Sequence, residues 1–416
     1  MVNLLFFFAF MPYISFGLKA PSNIQPYFLL IGWVAAIAWL VKKNFRVLVA
    51  NDTKILFVIG VFLVVYINPM NELSYGQWLR KSWSVLLILG SVFVFSASGL
   101  SKAKIPLLAA LSCYSLFSLL HYLHPAFYLS LSGFFVELRD VEIGIRGTAS
   151  LAPEATDMSF TMVYLGVFTA LMKHHKLISK RLASFCFLLC VLNVFASLAI
   201  SGFVALFGLL TLWIVRNDSL KFGRFFLILV VIVFFSILSL NFDSDSDSDS
   251  GLRVMDVLFN VVTDPSLILE TSFAHRFVHL YVGVIAIMET SGLGFGAGSF
   301  TEYASDLFVA HNVSAQLSLN SYYSFAVWET LKESPVSMIG MLMFEYGVFG
   351  IVVVLFLITI PLRSTVQHKS YLSFMIFLTL FQSFPLSYPL MWVIIGYVIS
   401  EKTRYESEKI WYASPN

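Results

Sequence analysis

The chain has 416 residues, of which 58% are apolar and 12% charged, with a mean hydropathy of +0.84 and a formal net charge of +2. A soluble domain carries about a quarter charged residues. No soluble fold of this size hides so much apolar surface, so the solvent must be lipid, and so small a net charge gives no basis for a nucleic-acid partner.

In lipid each backbone group must be satisfied within its own segment or a closed barrel. The apolar runs are continuous rather than alternating, which predicts an all-α polytopic membrane protein. About twelve spans are expected, near 3–18, 25–41, 55–69, 82–98, 105–122, 157–172, 182–198, 200–215, 225–241, 336–360, 371–385 and 387–400. The first lacks a basic leader and a small-residue cleavage site, so it reads as a span rather than a cleaved signal. Pro385 and Pro389 separate the last two. Cys186 and Cys190 stand one helical turn apart with no His or acidic residue beside them, and read with Cys113 as small core residues.

Lys and Arg set the orientation. With the N-terminus in the cytoplasm, 18 of the 26 fall in inside loops and eight outside. The expected organisation is therefore residues 1–241 as nine spans with an outer segment near 124–156, a large outer loop over 242–335, three spans over 336–400, and a cytoplasmic tail over 401–416.

Polar chemistry is confined to the two outer segments. The shorter holds Arg139 and Arg146-Gly147, then Pro153-Glu154 at the entrance to a span. The helix dipole favours an acid there, so Glu154 reads either as a cap or as a base near the membrane surface. The large loop opens with alternating Asp and Ser over 243–250. A calcium loop also needs turns and a bidentate ligand, so this run reads as a solvated linker.

Residues 270–290 have helical apolar spacing through Phe273, Phe277, Leu280, Tyr281, Val284 and Ile287. Arg276, His279 and Gly283 share one face: a fixed cation, a titratable ring and a gap. Arg253 has Asp256 three residues on, whereas Arg276 has no acid at i±3 or i±4 and suits an anion. Glycines at 292, 294, 296 and 298 follow. They neither succeed a strand nor open a nucleotide-binding helix. They read as a turn that brings backbone close to a neighbouring helix or a ligand. Glu345 lies inside a later apolar segment, in Phe344-Glu345-Tyr346-Gly347. An ionisable group there is functional or packs helices.

Three elements in order resemble the O-antigen polymerase and O-antigen ligase superfamily of polytopic glycosyltransferases. They are Arg146-Gly147 with Pro153-Glu154-Ala155-Thr156 entering a span, Arg276 with Gly292-Leu-Gly-Phe-Gly296, and Glu345-Tyr-Gly347-Val-Phe-Gly350. The resemblance covers the layout of the chain, through short motifs. It implies an inner-membrane enzyme acting at the periplasmic face on an undecaprenyl-diphosphate-linked oligosaccharide. It implies no cofactor and no metal, because arginines neutralise the leaving diphosphate. Arg146, Arg276 and Glu154 would carry catalysis. Arg253, Arg80, His279 and Gly283 would bind the diphosphate. Glu345 and His311 are further candidates. Membrane lipid and a chain-length regulator protein are the other implied partners. Glu154 occupies the Glu of a Glu-Pro-Ser-like element, followed here by Ala155 and Thr156. Ligases resemble one another in a His-Asn pair just before the late Glu-x-Gly element. The aligned stretch here is Glu333-Ser-Pro-Val-Ser337, and the pair His311-Asn312 lies far upstream of Glu345, which favours a polymerase. A transporter of lipid-linked sugars is the rival from another class, but no internal repeat supports it.

Overall fold

The computed structural model describes residues 1–15, 24–41, 51–66, 75–138, 147–197, 199–216, 272–317, 319, 321–333, 335–364, 366, 368–382 and 386–413. Among these residues there are helices and no strands. Among the described residues four helices are long and apolar enough to cross a membrane: Leu100–Leu123, Ala155–His174, Lys180–Ser197 and Met338–Leu362. Shorter apolar helices lie at Tyr27–Ala38, Lys54–Leu63, Ile88–Ser98, Ser201–Leu212 and Lys369–Phe381. The expected span at 225–241 lies outside the described residues.

The chain forms two compact units. The first comprises Met1–Pro12, Pro26–Lys102 and Pro265–Asn416. It contains α1 (Val2–Phe10), α2 (Tyr27–Val41), α3 (Asn51–Val65) and α4 (Tyr75–Ser98). From the later segment come α10 (Ser272–Glu289), α11 (Phe300–Ala310), α12 (Ser321–Glu333), α13 (Met338–Leu362), α14 (Lys369–Phe381) and α15 (Pro389–Ala413). The first expected span is a helix of only nine residues, because the chain leaves helical geometry at Met11, just before Pro12. At 1.5 Å per residue α1 alone is about 14 Å long, half a bilayer core. Pro389 sits at the first position of α15, where its missing N–H costs nothing. That helix runs on to Ala413, through most of the segment expected to be a separate tail.

The second unit comprises Tyr13–Gln25 and Ala103–Asp264. It contains α5 (Lys104–Leu123), α6 (Pro125–Phe135), α7 (Ala155–His174), α8 (Lys180–Ser197) and α9 (Ile200–Arg216). α6 falls within the expected outer segment, starting at Pro125. Asn193 ties α8 to α5. Its amide donates to Ser115 Oγ and to the Leu189 carbonyl, each at 2.8 Å, and its Oδ1 accepts from Ser118 at 2.7 Å. Such bonds hold membrane helices together where no hydrophobic force acts between them.

The segment from Gly147 to Glu154 threads into this unit as irregular buried backbone. Thr148 N–H donates to the Ala196 carbonyl at 2.9 Å, Ser150 Oγ to the Tyr114 carbonyl at 2.6 Å, and Tyr128 Oη to the Ser150 carbonyl at 3.0 Å. A Cβ on Gly147 would stand 2.3 Å from the carbonyl carbon of Ser197. Only glycine fits between this segment and α8.

Candidate functional site: a broken helix closed by a glycine turn

In the first unit, one face of α10 packs along the first half of α13. Val278, His279, Val282 and Ala286 are buried. The helices run in the same direction. His279 lies level with Val336, Gly283 with Gly340, and the glycine turn with Glu345 to Val348. The crossing is close because glycines meet. A Cβ on Gly283 would come within 2.9 Å of the Gly340 carbonyl oxygen, and one on Gly340 within 2.6 Å of the His279 carbonyl oxygen. The gap read on the Gly283 face is thus filled by α13.

His279 fastens the N-terminal end of this pair. It is fully enclosed. Its Nδ1 accepts the Val336 N–H at 3.2 Å, and its Nε2 lies 3.4 Å from Thr330 Oγ1. Thr330 donates its own proton to the Val327 carbonyl at 2.8 Å, so it must accept from Nε2–H. One tautomer, neutral with the proton on Nε2, satisfies all three. Burial, and then the nearby His275 and Arg276, push the His279 pKa down to about 3. The structure gives His279 and Gly283 packing roles.

α13 breaks at Gly347, whose φ of 58° and ψ of −135° are not helical. A break strands backbone groups that cannot stay unpaired away from water. The glycine turn satisfies them. Val348 N–H donates to the Gly292 carbonyl at 2.9 Å, Phe295 N–H to the Phe344 carbonyl at 2.9 Å, and Gly296 N–H to the Glu345 carbonyl at 2.8 Å. The turn's alternation has a backbone cause. Gly292, Gly294, Gly296 and Gly298 all have positive φ. A Cβ on Gly294 would lie 2.4 Å from the Gly347 nitrogen. Thr290 fixes the entry, its Oγ1 accepting from Gly294 N–H at 2.7 Å. The turn expected to bring backbone close to a neighbouring helix does so.

Aromatic side chains enclose the junction. Phe344 packs against Phe295 and Phe300, with ring centroids 5.1 and 5.3 Å away. Tyr346 Oη donates to the Leu63 carbonyl at 3.1 Å, and Tyr66 Oη to the Leu293 carbonyl at 2.6 Å. The end of α3 is thereby pinned both to the broken helix and to the glycine turn. Glu345 is fully enclosed there.

Arg276 sits half-buried one turn before His279, and burial pulls its pKa down. Of His275, Arg276 and His279 only Arg276 carries a fixed charge, since burial, and then Arg276, lower the His275 pKa as well. His311 caps the end of α11, and its Nε2 lies 3.1 Å from Glu289 Oε1 at the end of α10. Gln316 steadies that corner, its Nε2 donating to the His311 carbonyl at 2.9 Å while its Oε1 accepts from Tyr281 Oη at 2.5 Å. Sequence spacing gave no sign of the Glu289–His311 pair, because it joins two helices across the turn.

Glu154 belongs to the second unit. It is the N-terminal capping residue of α7, with extended backbone at φ −139° and ψ 157°, but its side chain makes no capping hydrogen bond. Arg80 lies on α4. Arg146 and Arg253 lie outside the described residues. Among the described residues no cluster of three His, Cys, Asp or Glu could hold a metal ion. No protein-family model and no curated protein matches the chain.

Proposed function

We propose that this membrane protein is a surface-polysaccharide polymerase of the O-antigen type. It joins undecaprenyl-diphosphate-linked repeat units at the periplasmic face of the inner membrane. Its topology is about twelve spans, with both termini cytoplasmic and residues 242–335 chiefly outside. The observation that carries the reading is the direct pairing of two motifs picked out by resemblance. Gly292–Gly296 and Phe344–Gly347 are far apart in sequence yet share backbone hydrogen bonds. In this reading they steady the helix that carries Arg276 beside the entrance of a candidate span, where a lipid-anchored anion would arrive.

In this reading the acceptor sugar hydroxyl attacks the anomeric carbon of the donor. A new C–O bond forms, the bond to the diphosphate breaks, and the hydroxyl proton leaves to a base. Arg276 holds the departing diphosphate, since a fixed guanidinium fork matches two phosphate oxygens. His311, oriented by Glu289, and Glu154 are the candidate bases.

The test is a lipopolysaccharide gel from a deletion strain of the source organism. A single-repeat band supports a polymerase. Loss of all antigen from the lipid A core supports a ligase instead, and an unchanged ladder overturns both.

A further inference from the structure

The break in α13 fixes a length. From Val348 to Leu362 the helix has fifteen residues, and Arg363 follows. At 1.5 Å per residue that is about 22 Å, whereas the hydrocarbon core is about 30 Å thick. About 8 Å, or roughly five residues, must come from before the break. Those residues are Leu342 to Tyr346, and their partners are the glycine turn. If α13 crosses the bilayer, the turn and the end of α10 must enter it too.

Exposure follows the same line. Val284 and Met288 lie one turn apart on the outward side of α10, and Met288 is 66% exposed. Leu293 in the turn is 59% exposed. Val348 continues the path, since a Cβ on Gly292 would touch its Cγ2 at 3.5 Å, and Val352 and Leu355 extend it along α13. Exposed apolar side chains thus recur from α10 through the turn and along a candidate span. Of the ionisable groups near this level, Glu345 is fully enclosed, and Glu289 and His311 pair with each other at 3.1 Å.

We infer that α10 and the glycine turn form a re-entrant element. It enters the bilayer from the same side as α13 and lays Val284, Met288 and Leu293 against lipid acyl chains. Irregular backbone is tolerated at that depth because α13 buries and pairs it. Residues 242–335, expected to lie wholly outside, then include a segment seated in the membrane. This inference needs α13 to be a span and is independent of any catalytic role.

Site-directed spin labelling tests it. Cys113, Cys186 and Cys190 are replaced, and nitroxides are placed singly at Met288→Cys and Leu293→Cys in the full chain. Lys332→Cys, exposed near the end of α12 and close to the level of His279 and Val336, supplies the aqueous reference, and Val352→Cys the lipid reference. The protein is reconstituted in phosphatidylethanolamine–phosphatidylglycerol vesicles. Collision rates with oxygen and with a water-soluble nickel chelate are compared. A several-fold excess of oxygen over nickel collisions at 288 and 293, matching 352 and opposite to 332, is expected. Nickel excess at 288 and 293 would put the turn in water and overturn the inference. Suppression of both collision rates would show that protein, such as a second copy of this chain, covers these side chains, and would overturn it as well. The two reference sites report whether the cysteine-replaced protein is folded.

Discussion

Gly296 donates its backbone N–H to the carbonyl of Glu345 at 2.8 Å, so the turn after α10 completes a helix that begins only at Met338. Helix and turn are therefore one structural element. Neither has its backbone satisfied without the other.

Substitution at the break is accordingly expected to be severe. A Cβ on Gly347 would stand 2.0 Å from the Gly292 carbonyl oxygen, at a φ of 58°. An ordinary Gly-to-Ala change shifts stability by about 1 kcal/mol. Gly347→Ala is expected to cost at least about 3 kcal/mol, through backbone strain and lost turn pairing. Thermal unfolding of the detergent-purified protein should show a loss of about 6 °C or more. A Tm within 2 °C (roughly 1 kcal/mol) of the parent would refute the proposed pairing.

His279 should make the fold acid-sensitive. The folded protein keeps this ring neutral down to about pH 3, whereas the unfolded chain protonates it near its ordinary 6.5. Between those values the unfolded state binds the extra proton. Stability is therefore full above about pH 6.5 and falls as pH drops toward 3, by at most ~1.4 kcal/mol per pH unit. His279→Asn keeps an acceptor for Val336 N–H but does not titrate. Its Tm at pH 7.5 should be lower than that of the parent, and its decline between pH 6.5 and 4.5 shallower. Parallel declines would show that other groups set the acid sensitivity.

In the second unit, Asn193→Ala leaves Ser115 and Ser118 without their shared partner. Hydrogen bonds between membrane helices are worth about 0.6 kcal/mol on average and up to about 1.7. A cost of about 1–2 kcal/mol is expected, read as a lower midpoint in denaturant-driven unfolding in mixed micelles. No change in midpoint would mean that water replaces the amide at no cost.

At Arg276 the prediction concerns activity. Arg276→Ala should remain in the membrane at parental levels yet lose long polysaccharide chains. Arg276→Lys keeps the charge but not the fork. Charged hydrogen bonds are worth about 1.5–3 kcal/mol, so Lys should restore polymer at roughly a tenth to a hundredth of the parental amount. Quantified gel ladders from membranes with matched protein levels measure this. Full activity in Arg276→Ala would remove the residue from the site.

Composition and the 3.6-residue period were enough to read most of the long apolar helices among the described residues and to place most of their ends within a few residues. They also sufficed for the glycine turn, because four glycines at alternate positions have few uses beyond repeated positive φ against a close neighbour. α11, α12 and the Glu289–His311 pair were not located, and two further things were not legible. One was α6, which looked like part of an outer loop because a helix of eleven residues is too short for a span signal. The other was the role of the face carrying His279 and Gly283. Periodicity shows which residues share a face but not what that face meets. It reads equally as a ligand gap or a helix crossing until Gly340 is seen against it.

The sequence by itself determined that this protein lives in lipid and is helical, because backbone in hydrocarbon leaves no other choice for continuous apolar runs. It also ordered the motifs along the chain. Only the tertiary structure decided that the second and third of those motifs form one junction. Hydrogen bonds between 292–296 and 344–348 depend on two distant segments folding side by side, and no local propensity encodes that.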